Sequence, residues 1–304
     1  MNFFALLAAL ALHHYRPHSR PDWLRHVALP YIHWLERNCN DGKSRHGVIA
    51  WLLGALIPAI AVGVIHYLLA EIHAVLGLFF AMFILYFTLR FSLFGHRAEQ
   101  IIAALRNRNL DEARQIFSQW ETAEADNYSS AELARVSIET TLKRAHYGLF
   151  GPIFWFVVLG PAGAVLYRLA HLLKLEWHPE QETPFNKFAR KAFEWLDWLP
   201  IRITAGSFAI VGDFEDAVYC WRMQAPTWPD KALGVVLASG AGALGVRLGE
   251  PLPQRGVLQF RPELGLGDEA DADYLQSAVG LVWRVLVLMV GLLFLLTFAH
   301  WLGN

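Results

Sequence analysis

The stretch that decides the fold is ARVSIETTLKRAHYGLFGPIFWFVVLG, residues 134–160. Its first half has the composition of a soluble helix and carries Glu139, Lys143 and Arg144. Its second half is apolar and resembles the start of a membrane-embedded helix. The sequence therefore places ionisable side chains directly beside a hydrocarbon-like segment. Catalysis, anchoring at a lipid surface and the remains of an older site are the three interpretations of this arrangement.

The composition of the whole chain predicts an integral membrane protein. Of its 304 residues, 55% are hydrophobic and only 17% are charged, whereas soluble globular chains carry roughly 25% charged residues. Its mean hydropathy is +0.31. The formal net charge of −1 creates no field that would attract nucleic acid, so we expect no nucleic-acid partner.

Three segments are long and apolar enough to predict membrane helices. Residues 48–70 and 74–94 are separated only by Glu71–His73, which predicts a tight transmembrane hairpin. Residues 277–302 predict a C-terminal transmembrane helix that contains Arg284. We expect this side chain to extend to the membrane interface, and a functional charge within the membrane is the alternative.

The region 148–249 predicts broken or re-entrant membrane helices. Gly160-Pro161 interrupts the apolar run 148–173, which is either a kinked span or a re-entrant hairpin. The two shorter segments 199–212 and 232–249 are rich in small residues that permit close helix packing.

The positive-inside rule orients the first half of the chain. Basic residues flank the first two spans on both sides, whereas Glu71–His73 carries no Lys or Arg, so both flanks are predicted to be cytoplasmic. The rule does not orient the later half, because Lys174 and Lys187 follow the broken segment. Residues 1–47 predict an N-terminal interfacial helix followed by a basic segment, without a signal peptide.

Residues 95–147 predict cytoplasmic amphipathic helices. Asn109 and Glu112 form a capping-box pattern at the start of one of them. A second helix is predicted over residues 131–146, where Glu139 and Lys143 have the i,i+4 spacing of a surface ion pair. From this pattern alone, the second helix is more simply a solvated, lipid-anchored helix than a site.

Motif and cysteine patterns narrow the chemistry further. The sequence has no P-loop, GxSxG or HExxH motif and no metal-ligand cluster, so no metal site is predicted. Cys39 and Cys220 are far apart and are expected to be two unrelated thiols.

Three stretches together resemble the CobD/CbiB family of membrane proteins, which includes adenosylcobinamide-phosphate synthases. The first is the opening stretch, in which Arg135, Glu139, Pro152 and Trp155 fall as in the family, followed by LGPAGAVLYR. The second is WLDWLPIRITA (residues 195–205) and the third is GAGALGVRLGEP (residues 240–251). The resemblance implies an all-α, polytopic membrane fold that occupies residues 1–304 as a single domain.

The resemblance also implies a reaction and its cofactors. The family's synthases use ATP and Mg²⁺ to join a cobyric acid carboxylate to the amine of aminopropanol phosphate. Positions that carry acids or amides in the synthases here carry Lys143, Arg144 and Tyr147. Glu139 is the candidate catalytic residue, and the candidate ligand-binding residues are Lys143, Arg144, Glu194, Asp197, Arg202 and Arg247.

The changed positions favour a divergent branch similar to AmpE, with a sensing, regulatory or binding role at the cell envelope. A working adenosylcobinamide-phosphate synthase, dependent on ATP and Mg²⁺, is the alternative. We expect a multi-pass protein of the bacterial inner membrane whose partners are the lipid bilayer and an anionic small molecule near the cytoplasmic face. A homo-oligomer is left open.

Overall fold

The computed structural model describes residues 2–15, 23–89, 91–121, 125–177, 183–254 and 257–302, and within them it is almost entirely helical. The predicted all-α membrane class is thereby confirmed. The helices are α1 (Asn2–Tyr15), α2 (Trp23–Cys39), α3 (Ser44–Trp51), α4 (Ile57–Ile72), α5 (Ala74–Thr88), α6 (Phe91–Arg106), α7 (Leu110–Glu121), α8 (Ser130–Ala145), α9 (Gly151–Glu176), α10 (Pro184–Val211), α11 (Phe214–Met223), α12 (Lys231–Leu244) and α13 (Ala272–Leu302). The strands are β1 (Leu248–Gly249), β2 (Leu252–Gln254), β3 (Val257–Gln259) and β4 (Glu263–Leu264).

The chain is divided into two compact units. We name Met1–Ser92 with Tyr147–Pro200 the hairpin unit, and Leu93–His146 with Ile201–Asn304 the pocket unit. The assignment of residues 1–304 to one family domain stays a prediction. The basic segment predicted between α1 and α2, with Arg16 and Arg20, lies outside the described residues.

Three helical stretches of the described residues are long and apolar enough to cross a membrane. They are Ser44–Ile72, Ser130–Glu176 and Ala272–Ala299. The first is continuous, because one π-helical turn (Leu52–Leu56) joins α3 to α4. The second is interrupted at Gly160, where the backbone leaves the helical conformation.

The predicted second span, residues 74–94, is too long. α5 ends at Thr88, and Leu89 adopts an extended conformation. The Thr88 hydroxyl donates to the Ile84 carbonyl oxygen at 2.6 Å, a local bond that competes with helix propagation. The remaining residues of the predicted span, from Phe91 onward, belong to α6.

The chain reverses direction at Gly160. This residue has φ 65° and ψ −155°, a conformation that favours glycine. A Cβ atom built on Gly163 would lie 2.1 Å from the Trp155 carbonyl oxygen, although residues eight apart in a straight helix are separated by ~12 Å. The segment after Gly160 therefore packs back along the segment before it.

Two further pairs define this helical hairpin, residues 147–176, as antiparallel. The Tyr167 ring lies against Gly151, whose added Cβ would be 2.3 Å from the phenol oxygen. The Tyr147 and His171 rings stack with their centroids 4.5 Å apart. Counted from the Trp155–Gly163 pair, the Gly151–Tyr167 pair is four residues further from Gly160 on both arms. The Tyr147–His171 pair is four residues further again. The register is therefore continuous along the arms.

The apolar segment predicted at residues 199–212 is the end of one long helix, α10. Pro200 lies inside this helix and has no N–H, so it cannot donate to the carbonyl oxygen of Leu196. The indole Nε1 of Trp155 donates to that oxygen at 3.1 Å. The hairpin thus satisfies the acceptor that the proline leaves unpaired.

Replacing Trp155 by Phe is expected to destabilise the protein by about 1–3 kcal/mol, because the Leu196 carbonyl loses its donor in an apolar setting. Denaturant unfolding in detergent, followed by circular dichroism, measures this loss. Trp301→Phe is the matched control, since Trp301 is exposed near the end of α13. Equal stability of Trp155→Phe and the wild type would show that this bond contributes nothing.

In the pocket unit, both helix starts in the region 95–147 are capped by side chains. The Asn109 side chain accepts from the Glu112 N–H at 3.3 Å, as the capping-box pattern predicted. Ser129 and Glu132 form a second capping box, so the next helix, α8, begins at Ser130. α8 is mostly buried and packs against α7, α12 and α13. The prediction of a solvated α8 is therefore wrong.

The C-terminal helix α13 begins at Ala272, five residues before the predicted start of its membrane segment. The exposed Arg284 donates through Nη1 to the carbonyl oxygen of Val211 at 2.9 Å. A cation at the C-terminal end of α10 complements the partial negative charge of that helix end. Arg284 therefore binds the protein backbone. The expectation that its side chain simply extends to the membrane interface did not include this contact.

Candidate functional site

A pocket of about 190 Å³ lies within the pocket unit. Its walls come from α7, α8, α12, the β2–β3 hairpin and the segments that follow α11 and β3. Two acids and two bases line it together with aromatic and aliphatic side chains. The charged lining residues are Glu121, Glu139, Lys143 and Arg261.

Glu139 is held in place by two donors. Its Oε1 accepts a hydrogen bond from the Gly249 N–H at 2.9 Å and also binds the guanidinium of Arg261. Gly249 has φ 76°, and an added Cβ would lie 1.9 Å from the Pro262 carbonyl oxygen, so only glycine fits. This geometry suits a carboxylate that positions Arg261. A catalytic role for Glu139 stays a prediction.

Arg261 is a charged pocket residue that the sequence motifs did not indicate. Gln259 and Arg261, two residues apart at the end of β3 and just after it, both line the pocket, whereas Leu258 and Phe260 do not and are exposed. The Arg261 guanidinium also lies over the Trp228 ring, 5.1 Å from its centroid. An arginine fixed by a carboxylate and an aromatic face is preorganised to bind an anion.

Lys143 and Arg144 are both paired with Glu121. Lys143 binds one carboxylate oxygen, and Arg144 Nη2 binds the other at 2.8 Å. Arg144 also lies over the Trp120 ring, 5.3 Å from its centroid, and does not line the pocket. Glu121 therefore brings a compensating negative charge from α7 to the pocket.

The pKa of Glu121 shows which interaction dominates. Burial by itself raises this pKa, but the opposing charges and hydrogen bonds of Lys143 and Arg144 outweigh burial and lower it below its ordinary value. A depressed folded-state pKa contributes stability that is present above the unfolded-state pKa. That stability is lost as the pH falls through the folded-state value.

Replacing Glu121 by Gln is expected to lower the free energy of unfolding at pH 7 by about 1.5–3 kcal/mol, since two cations lose their counter-charge. The stability difference from the wild type should be constant down to about pH 5 and shrink at lower pH. Unfolding titrations at several pH values measure it. Asp111→Gln is a suitable control, because the Asp111–Arg114 pair is exposed. A difference that does not change with pH would contradict the assignment.

A second, partly buried ion pair lies near Glu139. Arg135, also on α8, binds Glu250 and donates to the Pro251 carbonyl oxygen at 3.3 Å. Glu250 has φ 59°, which is uncommon for a residue other than glycine. Because Glu250 directly follows Gly249, this ion pair helps to fix the backbone that donates to Glu139.

The remaining predicted site residues are divided between the two units. Arg202 and Arg247 belong to the pocket unit, where both are half-buried. Glu194 and Asp197 belong to the hairpin unit. There Glu194 is exposed, whereas Asp197 is buried and accepts a hydrogen bond from the Tyr167 hydroxyl at 2.8 Å. Of the seven predicted residues, only Glu139 and Lys143 line the pocket.

The pocket does not fit a resident magnesium ion. No group of three or more His, Cys, Asp or Glu side chains that could hold a metal occurs in the described ranges of the chain. The two carboxylates of the lining, Glu121 and Glu139, are each bound by cations. Magnesium favours several free oxygen ligands in an octahedral arrangement, which these residues do not offer.

Comparison with known proteins decides the family. A family model described as CobD/Cbib protein matches residues 6–282, nearly the whole chain. The chain belongs to the CobD/Cbib family. The resemblance inferred from the three motifs is therefore confirmed at the family level.

Three curated relatives of this CobD/Cbib protein share one description, "Cobalamin biosynthesis protein CobD". The protein from Stutzerimonas stutzeri is 34% identical over 269 residues, which cover 84% of this chain and 87% of the relative. The protein from Chromobacterium violaceum is 37% identical over 192 residues, or 62% of each chain. The protein from Halalkalibacterium halodurans is 26% identical over 290 residues, or 91% of each chain. No solved structure matches this chain.

These relatives favour the cobalamin alternative over the AmpE-like interpretation. The match extends far beyond the three motifs, and the relatives are described as cobalamin biosynthesis proteins. None of the three relatives described above supports an AmpE-like branch.

Proposed function

We propose that this CobD/Cbib protein acts in cobalamin biosynthesis as an amide-forming ligase. It joins the carboxylate of a corrinoid, adenosylcobyric acid, to the amine of aminopropanol phosphate at the expense of ATP. The observation that carries the proposal is the pocket in which Arg261 is fixed by Glu139 and faces a second ion pair, Lys143–Glu121.

The size and charge of this pocket suit the smaller of the two substrates. Its volume of about 190 Å³ is below the roughly 300–1,000 Å³ of sites for drug-sized ligands. A corrinoid is too large for it, whereas an aminoalkyl phosphate is a small zwitterion with one anionic and one cationic end. A pocket that contains both signs of charge complements such a molecule.

Each charged residue then has a distinct role. Arg261 and Lys143 bind the phosphate oxygens, and Glu139 holds the Arg261 guanidinium in the orientation for binding. When the substrate binds, Lys143 moves from Glu121 to the phosphate. The Glu121 oxygen that Lys143 leaves then accepts a hydrogen bond from the substrate ammonium. The ammonium loses a proton to solvent water, and the neutral amine then attacks the acyl carbon; the C–N bond forms as the phosphate group that ATP placed on the carboxylate leaves. Binding beside Glu121 fixes the direction of this attack.

We further propose that the protein is a multi-pass protein of the bacterial inner membrane with this pocket on the cytoplasmic side. The apolar helices Ser44–Ile72 and Ala272–Ala299 support insertion into a membrane. The basic residues that precede the first span and follow the second support a cytoplasmic location of both flanks of this transmembrane hairpin.

Genetic complementation tests the proposed function. The gene is expressed in a bacterial strain that lacks its own adenosylcobinamide-phosphate synthase and that requires cobalamin for growth, with cobyric acid supplied. We expect the wild type and the surface variant Arg106→Gln to restore growth and Glu139→Ala to fail. Absence of growth with the wild type, at normal abundance in the membrane fraction, would reject the ligase and favour the envelope role.

A further inference from the structure

We propose that residues 147–176 form a re-entrant hairpin, which enters the membrane from the cytoplasmic side and returns to the same side. Its partner is the lipid hydrocarbon that surrounds the hairpin unit. This inference concerns membrane topology and does not depend on the proposed function.

The second arm of the hairpin packs antiparallel to the first membrane span. A Cβ atom built on Gly54 would lie 3.2 Å from Leu173 Cδ1, and one built on Gly63 would lie 3.3 Å from the Ala162 Cβ. Moving along the span from Gly54 to Gly63 therefore corresponds to moving back along the arm from Leu173 to Ala162. The hairpin tip lies beside the part of the span near Gly63.

The position of the tip along this span sets its depth. Gly63 follows the start of the apolar stretch at Val48 by 15 residues, or ~22 Å, and precedes its end at Ala70 by 7 residues, or ~10 Å, at 1.5 Å per residue. The tip therefore reaches well beyond the middle of the hydrocarbon and stops short of the far boundary. The arm 161–176 is itself only ~24 Å long, less than the ~30 Å of a bilayer core.

The chain that follows the hairpin returns to the starting end of the span. A Cβ atom built on Gly47 would lie 2.1 Å from the Phe185 carbonyl oxygen. The Trp51 and Phe188 rings pack edge to face with their centroids 5.7 Å apart. The start of α10 is thus beside the start of the first span, which the basic residues before it assign to the cytoplasm.

Contacts with α2 place the end of the second arm in the same region. Arg25 forms an ion pair with Glu176 at 2.9 Å. The Trp177 indole donates to the Ile32 carbonyl oxygen at 3.4 Å. Leu35 of α2 lies beside Gly54, where an added Cβ would be 3.1 Å from the Leu35 Cδ1. The last turn of the hairpin therefore lies near the part of the span that comes soon after its start.

The tip of the hairpin exposes apolar side chains, as contact with lipid hydrocarbon requires. Val158 and Leu159 are about half exposed and directly precede the turn at Gly160. Pro161 has no N–H, so this turn contains one backbone donor fewer that must be satisfied without water. The exposed side of the tip is therefore apolar and suited to lipid.

The exposed stripe of α10 supports the same membrane boundary independently. Lys187, Lys191, Trp195 and Trp198 follow one another along one side of the helix, and all four are exposed. Lys191 Nζ lies 5.5 Å from the centroid of the Trp195 ring. Lysines followed by tryptophans mark the passage from lipid headgroups to the hydrocarbon interface.

The re-entrant path also removes a conflict with the positive-inside rule. A full crossing at residues 148–173 would place Lys174, Lys187 and Lys191 outside the cell. A hairpin returns them to the side on which Lys43 and Arg45 precede the first span. All these basic residues are then cytoplasmic.

Cysteine labelling in oriented membranes tests this topology. Cys39 and Cys220 are both free, so they are first replaced by Ser and Ala. Single cysteines are then introduced as Lys187→Cys, Arg45→Cys, Glu71→Cys and Val158→Cys. A membrane-impermeant maleimide is applied to spheroplasts and to inverted vesicles, and each variant is compared with the parent for abundance in the membrane.

We expect Lys187→Cys and Arg45→Cys to react only in inverted vesicles and Glu71→Cys only in spheroplasts. Val158→Cys is expected to react in neither and to react after detergent solubilisation. Reaction of Lys187→Cys in spheroplasts would show a full crossing and overturn the proposal. Reaction of Val158→Cys from outside, or a Lys187→Cys that is inaccessible from both sides, would overturn it as well.

Discussion

Replacing Arg261 by Gln is expected to reduce kcat/KM for amide formation roughly 10²–10³-fold, which corresponds to a loss of about 3–4 kcal/mol of binding to the reacting complex. The reason is that Arg261 is the pocket cation that a carboxylate and an aromatic face both hold in place. Because its proposed partner is the substrate phosphate, KM for aminopropanol phosphate should rise. Steady-state kinetics with varied aminopropanol phosphate measure the effect.

The controls separate a binding role from general damage. Arg261→Lys keeps the charge but loses the planar fork, so it should recover only part of the activity. Arg106→Gln removes an exposed arginine of the same unit and should leave the kinetics unchanged. An Arg261→Gln enzyme with wild-type kinetics would remove this residue from the site.

A double-mutant cycle then defines the role of Glu139. If Glu139 acts by positioning Arg261, the Glu139→Gln and Arg261→Gln effects should be strongly non-additive, and the double variant should be little worse than Arg261→Gln alone. Additive losses would instead give Glu139 an independent catalytic contribution. The measurement therefore separates the positioning role that the geometry favours from the catalytic role that the sequence predicted.

Replacing Gly163 by Val is expected to prevent accumulation of folded protein. A Cβ atom at this position would lie 2.1 Å from the Trp155 carbonyl oxygen and 2.8 Å from the Leu159 Cβ, so the two arms of the hairpin would have to separate. Such an overlap with backbone is expected to cost more than roughly 4 kcal/mol, which few single substitutions reach. Size-exclusion chromatography of the detergent-solubilised protein measures the loss.

Gly291→Val in the C-terminal helix is the matched control. A Cβ atom at Gly291 meets no neighbouring atom within 4 Å, and we expect a normal monodisperse yield. A well-folded Gly163→Val protein with wild-type stability would contradict the close packing of the two arms.

The sequence predicted the elements of the fold better than their contacts. Long apolar runs, the Asn109 cap and the break at Gly160-Pro161 are local signals, and the structure contains each of them. The direction of the chain after Gly160 depends instead on the packing of Gly163 against Trp155. Hydropathy cannot distinguish a kinked span from a hairpin, because both have the same composition.

The candidate site shows the same limit. Glu139 and Lys143 were found from the sequence, but their i,i+4 spacing indicated the wrong pair. In the structure each binds a residue distant in sequence, Arg261 and Glu121 respectively. Neither partner belongs to one of the three family-like motifs, so motif comparison had no signal for them. The substituted motif positions thus suggested a loss of function, whereas the pocket contains a second carboxylate, Glu121, from another element.

Direct detection of the amide product tests the central proposal most closely. Purified wild-type protein in detergent is incubated with Mg-ATP, adenosylcobyric acid and aminopropanol phosphate, and the products are analysed by mass spectrometry. We predict adenosylcobinamide phosphate from the wild type, and at least 10²-fold less from Arg261→Gln. Absence of this product from monodisperse wild-type protein, while an authentic synthase forms it under the same conditions, would contradict the proposed function.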